Sequence, residues 1–502
     1  MPFEPKFENL TLSQTALELS DKIKVQAKTE ISTDDITKIL SVNATSHVEK
    51  KTFSDGKIDY FGKVVFFVCY LNSENEILKT ESRADFSGQI KGENLNPVCK
   101  AKLYSEVEKC EADASGVKLL LNANLCIDGE AYDCKEVKIA SGGDDLVCDC
   151  IEKQYSEGLG VKESTYPIEE EFEYNCIIKE VLNQRAQAVV TACQCGVDCI
   201  IVDGEVYLSA ILLQKGDKTD IIRKNEKIPF RAEIECENGM PSFNATAKAS
   251  VKSLKTDISV DQDKNLSVVN CSILLQLEGE AYTDKTVNAL DDAFSKEREI
   301  KIVKDEFSYF KPLEPRTESV KVAGTSVVSE LPVGAVCLAC GGERFELAST
   351  TCTDAGVKVT GVLCMTGYFS DGEEKIFTRK METPIEAEIE NLNADCDFKV
   401  KGVAVTPSVK ILTLTETEIQ GVVILTVYPK ERKNLIYVKE LVDAGEKKAN
   451  NSAISVYIPT EGEELWSLSK RLNVTPEELQ KTNPELQFPL NGSERIVVYR
   501  QK

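Results

Sequence analysis

Three stretches of alternating apolar and polar residues recur at a spacing of about 150 residues in the first 450 positions of the chain. A turn-forming Asp and Gly open each stretch, and the three glycines, Gly56, Gly204 and Gly356, stand 148 and 152 residues apart. Alternation with a period of two places apolar side chains on one face of a strand, and Asp-Gly pairs favour tight turns. The pattern therefore predicts three successive units built from β-strands.

Further segments recur at the same spacing and define the extent of each unit. Gly129-Glu130-Ala131-Tyr132 returns 150 residues later as Gly279-Glu280-Ala281-Tyr282. Each alternating stretch is followed by a charged turn and then by a second pair of apolar strands. Antiparallel strands with this pattern and short turns are typical of β-sandwiches. The units are predicted as sandwich-like domains at residues 1–157, 172–310 and 318–440.

Only a few segments outside the last fifty residues suggest anything other than strands. Residues 32–40 predict a short turn or helix, and residues 289–295 predict a brief helical turn. The stretch 155–170 is rich in Glu and Gly, and the stretch 311–319 contains two prolines, so both are interpreted as linkers. Residues 440–451 are expected to connect the third unit to the C-terminal segment.

The last fifty residues carry helical patterns between two short strands. Leu465, Leu468 and Leu472 have helical spacing, and a second helix is announced by an N-cap at Thr475 and a capping-box acid at Glu478. The segment 452–500 is therefore predicted as a small α+β domain in the order strand, helix, helix, strand. Trp466 is expected to pack in its core, because so small a domain needs its one large aromatic side chain there.

Charge and hydropathy limit the partners of the chain. The 502 residues carry a formal charge of −23, which repels nucleic acid and anionic lipid, so no nucleic-acid partner is expected. The acidity serves solubility or attracts a basic partner, and the composition favours neither. No apolar run has the length of a membrane span, which predicts no membrane insertion. Residues 1–6 lack the layout of a secretory signal, so a cytoplasmic protein is expected.

The sequence offers little reactive chemistry. Among 18 cysteines only Cys337 and Cys340 have a CxxC spacing, and the single histidine, His47, cannot complete a zinc site with them. Most cysteines stand where an apolar strand residue would pack, although exposed ones could cross-link on oxidation. No nucleophile elbow or phosphate-binding loop occurs. No metal, cofactor or catalytic residue is predicted, and the chain is not expected to be an enzyme.

The C-terminal segment resembles a LysM domain in its Leu-Trp pair, its Asn-Pro pair and the glycine before the first helix. The resemblance implies binding of N-acetylglucosamine-type glycans or of proteins. Where LysM domains usually have Gly-Asp-Thr, this chain has Gly-Glu-Glu, and a carboxylate against an acetamide is costly to bury. Protein docking is therefore favoured, with the acidic pair acting through its charge. The candidate binding residues are Gly462, Glu463, Glu464, Leu465, Trp466, Asn483 and Pro484.

The three units resemble the SPOCS domain of clostridial spore-coat morphogenesis proteins, in their alternating strands and in the block Leu290–Ser295 that follows the second unit. Several SPOCS units with one terminal LysM domain form a combination found in that family. The resemblance implies a scaffold of spore coat assembly in the mother-cell cytoplasm. Its partner would be the coat-anchoring ATPase stage IV sporulation protein A. Binding of peptidoglycan through the LysM domain is the alternative.

Overall fold

The computed structural model describes residues 4–31, 36–216, 220–372, 375–390, 396–447 and 454–499. Within these ranges the chain forms antiparallel strands almost throughout, with two short helices near its C-terminal end. The predicted mostly β fold is confirmed. None of the helices in the described ranges is long and apolar enough to cross a membrane.

Unit 1 consists of two three-stranded sheets packed face to face. The long sheet has the order β1-β6-β5 and the short sheet the order β2-β3-β4. Alternate residues of β3, among them Ile58, Val64 and Phe66, are fully buried between the sheets, which explains the period of two in the sequence. The strands are β1 (Glu4–Glu30), β2 (Lys38–Ser54), β3 (Lys57–Leu71), β4 (Ile77–Lys91), β5 (Lys100–Ser115) and β6 (Lys118–Asp144).

Unit 2 has the same strand order as unit 1. Its long sheet is β7-β12-β11 and its short sheet is β8-β9-β10. Ile200, Val202 and Val206 of the short sheet pack against Ile273 and Leu275 of the long sheet. The strands are β7 (Val147–Tyr174), β8 (Ile178–Cys195), β9 (Cys199–Gln214), β10 (Ile221–Glu235), β11 (Asn244–Asp261) and β12 (Leu266–Phe294).

Unit 3 differs because its first long strand is divided in two. Pro312 and Pro315 flank the break, and a proline cannot donate a hydrogen bond to a neighbouring strand. Both pieces pair with β19, which also pairs with β18, and the short sheet is β15-β16-β17. The strands are β13 (Arg298–Pro312), β14 (Arg316–Val327), β15 (Val336–Cys352), β16 (Gly356–Ser370), β17 (Ile376–Glu390), β18 (Cys396–Ile411) and β19 (Glu416–Glu446).

The three units meet through the outer halves of their long antiparallel strand pairs, β1/β6, β7/β12 and β13/β19. One apolar cluster, here called the axial core, takes residues from all three strand pairs. It contains Leu10, Leu12, Val137, Ile139, Tyr155, Val287, Ala289, Phe307, Tyr309, Leu435 and Tyr437. A second shared cluster joins the ends of the three short sheets and includes Cys69, Leu213 and Tyr368. Each unit therefore contacts both of the others.

Several segments predicted as linkers or helical turns are parts of these long strands. The stretch 155–170 lies inside β7, and residues 289–294 continue β12, so both predictions are wrong. Residues 440–446 likewise belong to β19. Their charged side chains are exposed or half-buried, and this side gave the stretches the composition of a linker. Their apolar side chains are buried in different places: Tyr155 and Ala289 pack in the axial core, Ile168 packs in the core of unit 2, and Leu290 and Leu441 pack in a further cluster shared by the units.

The remaining predictions of irregular structure have mixed outcomes. Only residues 313–315 separate β13 from β14, so the linker predicted at 311–319 is much shorter than expected. Lys38, Ile39 and Leu40 begin β2, which contradicts a helix there, and residues 32–35 of that prediction lie outside the described ranges. Residues 448–451 of the predicted C-terminal connection also lie outside them.

The three glycines that revealed the period do not occupy matching places in the units. Gly56 is in the turn before β3 with a φ of 74°, Gly204 lies inside β9, and Gly356 begins β16. The matching positions are glycines in the middle of β3, β9 and β16, each directly opposite a buried apolar residue of the third strand. These cross-strand pairs are Gly62 with Phe86, Gly204 with Phe230 and Gly361 with Ile385.

A separate small domain follows unit 3. It consists of β20 (Ile454–Tyr457), α1 (Leu465–Leu472), α2 (Pro476–Thr482) and β21 (Ile496–Tyr499), and its two strands pair antiparallel. At the start of α2 the Thr475 side chain accepts from the Glu478 N–H and the Glu478 carboxylate accepts from the Thr475 N–H. The capping box expected from the sequence is therefore present.

We predict that Ile139→Ala lowers the free energy of unfolding by about 2–4 kcal/mol, because it opens a void in the axial core. Ile139 is completely buried there. Lys138→Ala, at the exposed neighbouring position on β6, serves as the matched control and should change the value by less than about 0.5 kcal/mol. Urea unfolding followed by circular dichroism measures both, and equal losses would contradict the axial core.

Candidate functional site

Trp466 lies outside the core of the C-terminal domain. That core contains Leu468, Leu472, Leu479, Leu490 and Ile496, together with neighbouring apolar residues. The indole ring instead packs against Phe294 of unit 2, with 5.5 Å between ring centroids. The core role predicted for Trp466 is wrong, because the leucines of α1 occupy the buried side of this short helix and Trp466 projects from its other side.

Asp292 joins unit 2 to helix α1. Its carboxylate accepts a hydrogen bond of 2.8 Å from Nε1 of Trp466 and contacts Nζ of Lys470 at 2.7 and 2.8 Å. Trp466 and Lys470 are four residues apart and therefore share one side of the helix. Burial raises the pKa of Asp292, but the hydrogen bonds from Lys470 and Trp466 lower it by more. The resulting pKa is therefore below the ordinary value for Asp.

Polar contacts extend this junction along the end of unit 2. Asn473 Nδ2 donates to the Lys296 carbonyl at 2.7 Å, and Lys447 Nζ donates to the Ser295 carbonyl at 2.8 Å and to Asn473 Oδ1 at 2.9 Å. Lys296 forms an ion pair with Glu478 at 2.8 Å. Together with the contacts of Trp466 and Lys470, these interactions are here called the docking contact. The docking contact uses the block Leu290–Ser295 at the end of β12, which the SPOCS resemblance singled out.

Glu463 is a structural residue and not an exposed charge. It is only 9% exposed, pairs with Arg471 and accepts from the Thr460 N–H at 3.2 Å. A lysine at this position would place an ammonium group beside Arg471. The expectation that the acidic pair acts through its charge therefore conflicts with the structure at Glu463. Glu464, which immediately precedes α1, is exposed.

The other predicted binding residues divide between core and surface. Asn483 is 2% exposed, donates to the carbonyls of Leu479 and Val497 and accepts from the Val497 N–H, so it fastens α2 to β21. Leu465 packs at the edge of the core. Gly462 and Pro484 are exposed, and Gly462 has a φ of 79°. Only Gly462, Glu464 and Pro484 thus present themselves to solvent as the sequence suggested.

An apolar surface that the sequence interpretation missed covers the outer side of the two-stranded sheet β20/β21. Ile454, Val456, Ile458 and Tyr499 are 61%, 64%, 67% and 60% exposed. Ile454 lies directly opposite Tyr499 in the pairing of β20 with β21. These four residues are here called the apolar face. The other side of the same two-stranded sheet, with Tyr457, Ile496 and Val498, packs in the core.

The sequence did contain a signal for the apolar face. Ile454, Val456 and Ile458 alternate with Tyr457, so both sides of β20 carry large apolar residues. A two-stranded sheet in a domain of this size has only one layer of helices to cover it, and its second side stays in solvent. The docking contact uses α1, Asn473 and Glu478, so docking leaves the apolar face open.

Comparison with known proteins supports a relationship in unit 1. The family model described as SipL, SPOCS domain matches residues 35–115, which span β2 to β5. The curated proteins contain no match, and neither do the solved structures. The matched family is one of structural and interaction proteins, and the match connects the chain with sporulation. In the described ranges, no group of three or more His, Cys, Asp or Glu residues is arranged to hold a metal ion.

We predict that Asp292→Ala weakens docking of the C-terminal domain by about 1–2 kcal/mol, because two charge-assisted contacts are lost. Trp466 is the only tryptophan, so its fluorescence reports docking directly. The emission of the full-length variant should shift to longer wavelength as the ring becomes hydrated. Asp291→Ala is the matched control, because Asp291 pairs with Lys304 and not with the C-terminal domain. The same shift in both variants would contradict the docking contact.

Docking is also expected to depend on pH. The pKa of Asp292 is lowered from an ordinary value of 3.8, so its contribution is complete above that value and is lost as the pH falls through the lower, docked pKa. Acid titration should therefore shift the Trp466 emission in this window. Asp292→Asn should remove the Asp292 part of the transition. Circular dichroism at each pH separates undocking from unfolding, and an unchanged transition in the variant would refute the assignment.

Proposed function

We propose that the chain is a non-enzymatic interaction protein of spore coat assembly whose C-terminal LysM domain docks on a coat-base morphogenetic ATPase resembling stage IV sporulation protein A. It would act in the mother-cell cytoplasm, at the forespore surface or in the coat. The apolar face is the observation that carries this proposal. Its four large apolar side chains form an exposed surface on one small sheet, which water solvates poorly and which a protein partner would cover.

The arrangement of the three units supports a scaffold role. The SPOCS family model matches residues 35–115 in unit 1. Units 2 and 3 repeat the two-sheet strand order of unit 1, except that the first long strand of unit 3 is divided into β13 and β14. We propose that all three are SPOCS domains, spanning 4–144, 147–294 and 298–446, followed by a LysM domain at 454–499. We place the boundary between the first two near residue 145, since β7 begins at Val147 and runs through the linker expected at 155–170.

Position and chemistry favour a protein over a glycan as the ligand of the C-terminal domain. Glu461 and Glu464 are exposed beside the loop before α1, and two carboxylates there disfavour stacking of neutral sugar rings. That loop is tied to the segment before β21, because Gly462 N–H donates to the Leu490 carbonyl at 2.7 Å and Leu490 N–H donates to the Glu463 carbonyl at 3.0 Å. The apolar face lies on the strands instead, where a protein could bury it.

We expect Val456→Glu to weaken binding of the full-length chain to the ATPase by about tenfold or more, because a charge would be buried in the interface. Val456 is 64% exposed, so the fold should tolerate the change. Gln480→Glu adds the same charge at an exposed site on α2 and serves as the matched control. Binding measured by calorimetry with the purified ATPase decides the matter, and equal affinity in both variants would overturn the proposed face.

Peptidoglycan binding is the outcome to be distinguished in the same experiment. The full-length protein and Glu464→Gln are sedimented with purified peptidoglycan. Sedimentation of the wild type, strengthened by removal of the Glu464 charge and unaffected by Val456→Glu, would favour the glycan function. Failure to sediment, together with ATPase binding that depends on Val456, supports protein docking.

A further inference from the structure

A charged cavity lies at the centre of the molecule, where the three units meet. Its wall takes residues from the long sheets of all three units, on strands β5, β6, β7, β11, β12, β13, β18 and β19. The charged side chains that line it are four lysines and two glutamates: Lys102, Lys248, Lys399, Lys430, Glu130 and Glu280. A concentration of lysines here contrasts with the formal charge of −23 on the whole chain.

Three of the four lysines have carboxylate partners. Glu130 pairs with Lys399 at 2.9 Å and with Lys430 at 2.5 Å. Glu280 pairs with Lys102 at 3.4 Å. These pairs join unit 1 to unit 3 and unit 1 to unit 2, so they are contacts between units. Glu278, beside the cavity, is a third carboxylate whose charge acts on Lys102 and Lys248. Three carboxylates are still fewer than four ammonium groups, which leaves positive charge in the cavity.

Lys248 is the lysine without a carboxylate. Its ammonium lies 4.4 Å from the centre of the Tyr428 ring and 5.9 Å from that of Tyr104, and no described residue forms an ion pair with it. Aromatic faces attract a cation but do not neutralise it. Tyr104 itself hydrogen-bonds to Glu278, which holds that carboxylate in place. An ammonium group in this position is costly unless an anion balances it.

The titration of the lining groups agrees with this excess of positive charge. Burial, and next the charge of Lys102, lower the pKa of Lys248 to about 8. Burial raises the pKa of Glu130, but Lys430 and Lys399 outweigh it and bring the pKa to about 2. Both directions are those that a cavity with unbalanced ammonium groups produces.

We propose that the central cavity binds a small dianionic oxyanion such as inorganic phosphate, with Lys248 as its main contact and the neighbouring lysines as secondary ones. The negative charge of the anion would balance the ammonium charge that the neighbouring carboxylates leave over. The ligand would touch residues of different units and so stabilise their association. Inorganic phosphate is the probe, and sulfate has the same shape and a charge that is constant near neutral pH.

Calorimetry and thermal unfolding of the full-length protein test this proposal, at constant ionic strength balanced with chloride. Calorimetry should show saturable binding of phosphate and of sulfate. Each should also raise the melting temperature with the logarithm of its concentration once that exceeds Kd, since the ligand binds only the folded state. Acetate, with a single charge, should bind at least about tenfold more weakly. A rise that grows linearly without saturation would be a general salt effect and would overturn the proposal.

Variants locate the site. Lys248→Met should weaken phosphate binding about tenfold or more while the protein stays folded, because it removes a charge that lacks an ionic partner. Lys248→Gln serves as a second, polar replacement. Lys255→Met, at an exposed position further along β11, is the matched control and should bind as the wild type does. Equal phosphate affinity in Lys248→Met and Lys255→Met would refute the central site.

Discussion

The fold depends on burial of the outer halves of three long antiparallel strand pairs, β1/β6, β7/β12 and β13/β19. Strands such as β6 and β12 extend well beyond the sandwich in which they begin, and their apolar residues there have no second sheet of their own unit to cover them. They become buried only against the long strand pairs of the other two units, as Ile139, Val287 and Leu435 show. The three units are therefore one cooperative body, although each has a core of its own.

Both candidate sites follow from that shared burial. The long strand pairs enclose the central cavity where they meet. The end of β12 presents Asp292 and Phe294 to the C-terminal domain. Ala293 and Phe294 are 1% and 2% exposed, so this end is held firmly. A rigid end allows a single tryptophan and two ion pairs, Asp292 with Lys470 and Lys296 with Glu478, to orient a small domain. The orientation they set turns the apolar face outward.

Sequence alone predicted what local chemistry determines. The alternation of β3 and the capping box at Thr475 depend on neighbouring residues, and both appear in the structure. Trp466 was misread because its surroundings come from a distant segment, unit 2. Glu463 was misread because its own loop folds around it and Arg471 pairs with it, an arrangement that the order of residues does not show. The stretch 155–170 was taken for a linker because the residues that bury its apolar side chains lie far away in the chain, in the axial core around Tyr155 and in the core of unit 2 around Ile168.

The repeat also explains the charges at the centre. Glu130 on β6 and Glu280 on β12 are 150 residues apart, and the residue a further 150 along, on β19, is Lys430. All three line the same cavity. A third glutamate would bring a third negative charge to a shared, partly buried space, where like charges repel more strongly than in water. Lysine at that place instead pairs with Glu130, so divergence of the third unit turns a repulsive ring into contacts that join the units.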